Sequence, residues 1–397
     1  MTRFLPPLSL TGAHILRNGA MQYGAISLAE GRITGAALPD VDLSGYLILP
    51  GIIDLHGDGF EHHMAPRPSA PMPFAAGFAS LDRQAVSQGV TTAYLAQGWS
   101  WEGGHRGPDH AEQLIQALAD YRPRALTDLR IQLRAETHLV AETERLVETV
   151  RRYGIDYVVF NDHLDEGIQM LSGTPAAFAV WARTVGTSPE QMTEAIQLAR
   201  SMHRDVPQSL CRLACAFDQM GVRYGSHDDP DGETRERFRM IGAQIAEFPL
   251  THAAASAAHA MSCPVLMGAP NVVRGQSQSG NVAAADLIAA GLCDALVSDY
   301  HLPTLPLAAW ALADRGVISF AGAWALISTG PAAIMGMTDR GRLDAGLRAD
   351  LVIIAAQSRQ IEVVISGGRL GYLAGEAAQR FLAQPRLQSD ALPLAAE

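Results

Sequence analysis

His56 and Asp58 stand two residues apart at the end of the apolar run Leu49-Pro50-Gly51-Ile52-Ile53-Asp54-Leu55. If residues 52–55 form a buried strand, positions i and i+2 project the same way, and an imidazole and a carboxylate converge just past its C-terminal end. Such a pair is half of a metal site. Taken alone it reads as a strand running into a polar turn, because Gly57 and Gly59 are turn residues.

The pattern recurs, and the recurrence changes the reading. Further strand-like runs lie at 91–96, 130–135, 157–160, 222–225, 246–250, 265–267 and 295–297. The third is followed by Glu136, Thr137 and His138, and the fourth by Asn161, Asp162 and His163. After the fifth come Ser226, His227, Asp228 and Asp229, and after the sixth Thr251 and His252. The seventh runs into Pro270 and Asn271, and the eighth into Ser298, Asp299, Tyr300 and His301. In a barrel these ends share one rim, where barrel enzymes keep their chemistry. His with Asp or Glu and no thiolate suits Zn²⁺, Mn²⁺ or Fe²⁺. The donors suffice for two ions, which would acidify a shared water, with Glu136 as the bridging anion. Asp299 is placed to orient that water and take its proton.

Two loops add polar groups. His62, His63 and Arg67 sit in a stretch where Pro66 and Pro68 stiffen the backbone around the arginine. They present either an anion-binding loop or an exposed Pro-rich one. The stretch 271–281 holds Asn271, Arg274, Ser277, Ser279 and Asn281, amides and hydroxyls able to wrap phosphate or sugar oxygens.

The elements that must position these groups are eight strands alternating with helical patterns at 78–88, 111–121, 141–153, 189–203, 208–220 and 283–290. That alternation predicts a (β/α)8 barrel over 51–339. A doubly wound open sheet is the competing topology, weakened because no G-x-G-x-x-G follows a strand. Short strands at 13–16, 25–28, 32–36 and 45–48 resemble those at 350–355 and 360–366, where Gly367-Gly368 reads as a hairpin turn. Residues 1–50 and 340–397 therefore form one composite small β-domain, with a loosely held tail past Gln379.

Of the 397 residues, 48% are hydrophobic and 18% charged, the composition of a globular chain with a large core. The net charge of −11 comes without a basic stripe, which argues against nucleic acid as a partner. All 30 basic residues are arginine. The lack of lysine excludes a Walker-type loop, a Schiff base and a carbamylated lysine between metals. Cys211, Cys215, Cys263 and Cys293 form no C-x-x-C pair. Cys211 and Cys215 fall i,i+4 on one helix, as packed apolar residues would. A cytoplasmic protein is expected, with no signal peptide. The apolar stretch 305–337 is broken by Asp314 and Arg315 and reads as buried helices, not a membrane span. A homo-oligomer is compatible with this composition.

The Leu-Pro-Gly-Ile-Ile-Asp-Leu-His start, the Ser298-Asp299 pair and Ala-Gly-Leu-Arg-Ala-Asp-Leu-Val at 345–352 resemble the amidohydrolase superfamily. More narrowly, the chain resembles the α-D-ribose 1-methylphosphonate 5-triphosphate diphosphatase family of the carbon–phosphorus lyase pathway. The carrying motifs are Asp-Leu-His-Gly-Asp-Gly-Phe-Glu with the following Pro-Arg-Pro, Gly-Ser-His-Asp-Asp, Ala-Glu-Phe-Pro, Gly-Ala-Pro-Asn-Val-Val-Arg-Gly, Ser-Gly-Asn and Ser-Asp-Tyr-His. The resemblance implies hydrolysis within a triphosphate, releasing pyrophosphate from a phosphorylated small molecule. It implies a metal set of His56, Asp58, Glu136, His163, His227 and Asp299, expected to hold two Zn²⁺. It also implies substrate contacts from Arg67, Asn271, Arg274, Ser277, Ser279 and Asn281, with His62 beside Arg67. Three departures concern the substrate side: Gln278 where a His is expected, Leu164-Asp165-Glu166-Gly167 in place of a Pro-Gly-Gln-type turn, and His252 as a candidate sixth-strand ligand. Hydrolysis of a C–N bond, as in other amidohydrolases, is the alternative.

Overall fold

A single glycine joins the two sheets of the protein. Strand Tyr46–Pro50, in the middle of the first sheet, is followed by β1 (Ile52–Gly57), the first strand of the second, with only Gly51 between them. A Cβ at Gly51 would collide with Thr91 Oγ1, and its N–H donates to the Asp350 carbonyl at 2.9 Å. The computed structural model describes residues 4–67, 70–277 and 279–383.

The second sheet is the barrel. Its strands are β1, β2 (Val90–Trp99), β3 (Asp128–Glu136), β4 (Tyr157–Asn161), β5 (Arg223–His227), β6 (Ile245–Glu247), β7 (Val265–Gly268) and β8 (Ala295–Val297). They pair in chain order, each parallel to the next, and a parallel bridge between Gly57 and Asp299 closes the circle. Sequential order with closure excludes the doubly wound alternative. The strands read as near-continuous apolar runs because both faces are covered. Ile53, Leu55, Tyr157, Val159, Leu266 and Val297 belong to one buried cluster, and a larger cluster lies between strands and helices.

β6 is shorter than the apolar run suggests. It stops at Glu247, and Phe248 turns into the left-handed region with φ 49°. This backbone is uncommon for a bulky residue. The strand-six end is therefore Glu247, not Thr251-His252. Thr251 instead caps the helix His252–Ala260, accepting the Ala254 N–H at 3.1 Å.

Between β4 and β5 the chain inserts helices Leu164–Gly173, Pro175–Val185 and Pro189–Ser201 before Val206–Met220. The first two were not expected; the first buries only Leu164 and Gly167, and the second Phe178, Ala182 and Val185. These helices share a satellite core of Phe178, Val185, Met192 and Ile196 with Trp101. Cys211 and Cys215 lie on the outer face of Val206–Met220, exposed and not packed as expected, because Leu213, Ala214 and Phe217 take the inner face.

The terminal sheet runs Arg369–Leu373, Ile361–Ser366, Leu351–Ala355, Tyr46–Pro50, Leu8–Arg17, Ala20–Ala29, Arg32–Thr34, with Asp40–Asp42 beside Leu8–Arg17. Its central pairing, Ile353 opposite Ile48, comes from opposite ends of the chain. Gly367 and Gly368 turn the hairpin with φ of 57° and 72°, as a two-residue primed turn requires. Past Gln379 the helix Gly375–Leu382 continues, and the rest of the tail lies outside the described residues. The 305–337 stretch folds as three separate helices. Among the described residues no helix is long and apolar enough to cross a membrane.

Candidate active site

β3 delivers three polar side chains to one face at two-residue intervals, as the pleat dictates: Gln132, Arg134 and Glu136. Gln132 Nε2 donates to Glu247 Oε1 at 2.5 Å, from across the barrel. Arg134 reaches Asp58 Oδ2 at 3.5 Å, and with the Asn161 amide turned so that its oxygen faces the guanidinium, that oxygen accepts from Nε and Nη2 at 3.1 Å. Glu136 takes the ring and the backbone N–H of His163, at 2.5 Å to Nδ1 and 3.2 Å to N.

β1 does the same with Asp54, His56 and Asp58. Asp54 accepts the Ser298 N–H at 2.9 Å and hydroxyl at 2.6 Å, clamping β8 against β1. Gly57 leaves room for this clamp, since a Cβ there would lie 2.8 Å from Ser298 Oγ. His56 is buried, with Nδ1 2.9 Å from Glu247 Oε2. Glu247 also accepts from Tyr157 Oη at 2.5 Å, so both its oxygens are engaged. Burial opposes charge on both, but the pair prevails: His56 is held above the usual imidazole range and Glu247 below the carboxylate range. With Nδ1 committed to Glu247, Nε2 is the remaining donor of His56.

His227 lies beside it, ring centroids 5.3 Å apart, and Phe248 packs edge-on against both at 5.1 and 5.0 Å. Neither His227 nitrogen has a hydrogen-bond partner, although both are buried. Asp228 Oδ2 comes within 3.0 Å of Nδ1 without hydrogen-bond alignment. Burial pushes His227 below the ordinary range, so one ring nitrogen keeps its lone pair available. Donor atoms of His56, His227 and Glu247 lie within 4.8 Å of one another. An orphaned buried imidazole beside a carboxylate-oriented one fits a divalent metal, since buried polar groups otherwise find partners.

Asp228, Phe248 and Asp299 all adopt positive φ, at 59°, 49° and 54°. Three non-glycine residues in this region at three strand ends store strain at one place. The Asp299 backbone is tied to β1, donating to the His56 carbonyl and accepting from Asp58 N, both at 3.0 Å. Burial, with the nearby Asp58 carboxylate, raises its carboxyl to about 6.

A cavity of ≈ 390 Å³ opens above these groups. His56, Asp58, His227 and Asp299 line it, as do Asn271, Arg274, Ser277, Ser279 and Asn281. Asn271 spends its amide on the loop itself: Oδ1 accepts the Ala284 N–H at 2.9 Å and Nδ2 donates to the Val282 carbonyl at 3.3 Å. Glu136 and His163 sit behind the lining, with His163 6.5 Å from His227 ring to ring. His62 and Arg67 are not brought there. Both are exposed, and His62 borders a separate cavity with His105, Arg106 and His110. His252 is also absent from the site, exposed on its helix with Nδ1 3.1 Å from Ser256 Oγ. Of the departures, Glu166 lines the cavity, and Gln278 lies outside the described residues.

Sequence reasoning missed Glu247 and Arg134. Glu247 lay in the quoted Ala-Glu-Phe-Pro, an acid inside an apolar run, and Arg134 two positions before a candidate ligand on the same strand face. Both spacings were available as signals.

No protein-family model matches the chain. Over 356 residues it is 31% identical to the alpha-D-ribose 1-methylphosphonate 5-triphosphate diphosphatase of Escherichia coli (strain K12), covering 86% of this chain and 93% of that one. Among solved structures, a Xaa-Pro dipeptidase superposes with TM-score 0.61 at 12% identity, over 93% of this chain and 100% of that chain. The N-acetylglucosamine-6-phosphate deacetylase from Pasteurella multocida gives 0.60 at 11%, over 92% and 99%. An adenosine deaminase from Xanthomonas campestris with bound zinc gives 0.55 at 13%, over 94% and 96%. These three share the fold. Closed barrel, composite terminal sheet and near full-length identity converge: the chain belongs to the alpha-D-ribose 1-methylphosphonate 5-triphosphate diphosphatase family, hydrolytic enzymes of the amidohydrolase superfamily.

Proposed function

We propose that the protein is a metal-dependent phosphoanhydride hydrolase that cuts the triphosphate of α-D-ribose 1-methylphosphonate 5-triphosphate, releasing pyrophosphate and leaving the 5-phosphate. The observation that carries this reading is a single cavity lined by His56, His227, Asp299 and the loop from Asn271 to Asn281, with Glu247 behind His56, in a chain aligned over most of its length with the E. coli enzyme. His56 and His227 would hold a divalent ion, Zn²⁺, Mn²⁺ or Fe²⁺, which lends positive charge to the reacting phosphoryl group and acidifies a water there. Glu247 keeps His56 in the tautomer that leaves Nε2 free. Asp299 accepts the proton as the water oxygen bonds to phosphorus and the anhydride oxygen departs with pyrophosphate. Arg274 and the hydroxyls of Ser277 and Ser279 meet the polyphosphate oxygens.

One observation favours hydrolysis of a C–N bond instead. Glu166 joins Asp58, Asp228 and Asp299 on the cavity wall, an excess of acids that repels a polyphosphate. Metal-loaded protein assayed on the ribosyl triphosphate and on cyclic and N-acyl amides separates the two. Pyrophosphate release is expected. Amide turnover without it would overturn the assignment.

A further inference from the structure

The donors at the rim are divided into two unequal halves. On one side His227 has both nitrogens free of hydrogen bonds, and His56 is oriented by Glu247. On the other side two of the acids, Glu136 and Asp58, are already engaged by other groups. Both Glu136 oxygens serve His163, and Glu136 does not line the cavity, so it is poorly placed to bridge two ions. Asp58 faces the Arg134 guanidinium, which is itself fixed by Asn161 and only 17% exposed. A guanidinium stays protonated and has no lone pair to offer a metal. A dication drawn to Asp58 would have to sit against that positive charge.

We infer that this chain binds one divalent ion, on the His56–His227 side, and that Arg134, paired with Asp58, supplies the second positive charge that meets the anionic oxygens of the substrate. The inference rests on the reading of this cavity as a metal-dependent anhydride site and specifies its charge. Arg134 suits the task by geometry. Its position on β3 is set by the pleat, Asn161 prevents it from folding away, and its planar fork can serve Asp58 and a phosphoryl oxygen together. A fixed cation also offsets part of the acidic wall formed by Asp228, Asp299 and Glu166.

The test is a metal count that does not depend on any substrate. Purified chain is titrated with Zn²⁺, freed of excess by gel filtration, and its metal measured by mass spectrometry. One equivalent per chain is expected, and two tightly held equivalents would overturn the inference. His227→Ala, checked for folding by circular dichroism, should fall below about a fifth of an equivalent; a full equivalent retained would move the ion elsewhere. Arg134→Gln should keep its single ion but bind inorganic pyrophosphate at least about tenfold more weakly, and unchanged pyrophosphate affinity or loss of the ion would overturn the role given to Arg134. If the metal count is one but the ribosyl triphosphate is not cleaved, the substrate assignment fails while the charge arrangement stands.

Discussion

His56 Nδ1 lies 2.9 Å from Oε2 of Glu247, two side chains 191 residues apart in the chain and both sealed from solvent. Tyr157 and Gln132 hold the other carboxylate oxygen, so Glu247 is a fixed anchor and the imidazole takes its tautomer and orientation from it.

Removing that anchor should be costly in two ways. Glu247→Ala leaves His56, Tyr157 and Gln132 without their shared partner, and breaking such a buried pair costs about 3–5 kcal/mol. Urea denaturation measures the loss. Glu247→Gln should retain the fold better yet weaken Zn²⁺ binding about 10–100-fold, the usual effect of disturbing an orienting carboxylate. Unchanged zinc affinity in the Gln variant would make Glu247 purely structural.

Asp299→Asn should lower kcat by about 10²–10⁴-fold with the metal content intact. The carboxyl must be ionised to accept a proton, and burial with Asp58 holds it at about 6. A bound cation can only lower that value. The rate should therefore rise with pH along an acid limb centred at or below pH 6 and level off above it. An acid limb above pH 7, or a near-normal rate in the variant, would remove Asp299 from this role.

Asn271 supports the loop that faces the substrate, and does so through Val282 and Ala284. Asn271→Ala removes two hydrogen bonds, costing about 1–3 kcal/mol. Because the affected loop carries Ser277, Ser279 and Asn281, KM should rise more than kcat falls. Steady-state kinetics reads this directly. A drop confined to kcat would place Asn271 at the reacting atoms.

Far from the site, Asp128 gathers Arg130 at 3.0 Å and Arg340 at 2.7 Å, joining the start of β3 to the C-terminal segment. Burial opposes its charge, but the two guanidinium groups hold the carboxyl below its ordinary range. An acid with a lowered folded-state value stabilises the fold fully above its unfolded value of about 4 and loses that contribution as pH falls through the folded one. Asp128→Asn should be less stable at neutral pH by about 1–3 kcal/mol, with the deficit shrinking below pH 4. A deficit that does not change with pH would mean that packing, not charge, is responsible.

Much of this arrangement is written locally. Apolar runs of three to six residues, separated by helical patterns and six of them followed by His, Asp or Glu, define the barrel strands and their chemical rim, because the period of a strand and its punctuation depend only on nearby residues. His56, Asp58, His227 and Asp299 were found in this way and share one cavity wall. The Gly367-Gly368 hairpin was legible for the same reason, since the turn needs two positive φ values.

What the tertiary structure alone decided is the pairing across the barrel. The apolar run at strand six continues past Glu247, and nothing local says that Phe248 leaves the strand in a left-handed conformation. That one turn put Glu247 at the strand end, beneath His56, and carried His252 out to solvent. Likewise Arg134 could have faced bulk water; pairing of β3 with β4 set it beside Asn161, and the curl of the sheet brought Asp58 within reach. Residue type and spacing determine which groups can do chemistry. Which of them are spent on one another depends on distances between strands far apart in the chain, and those follow only from packing.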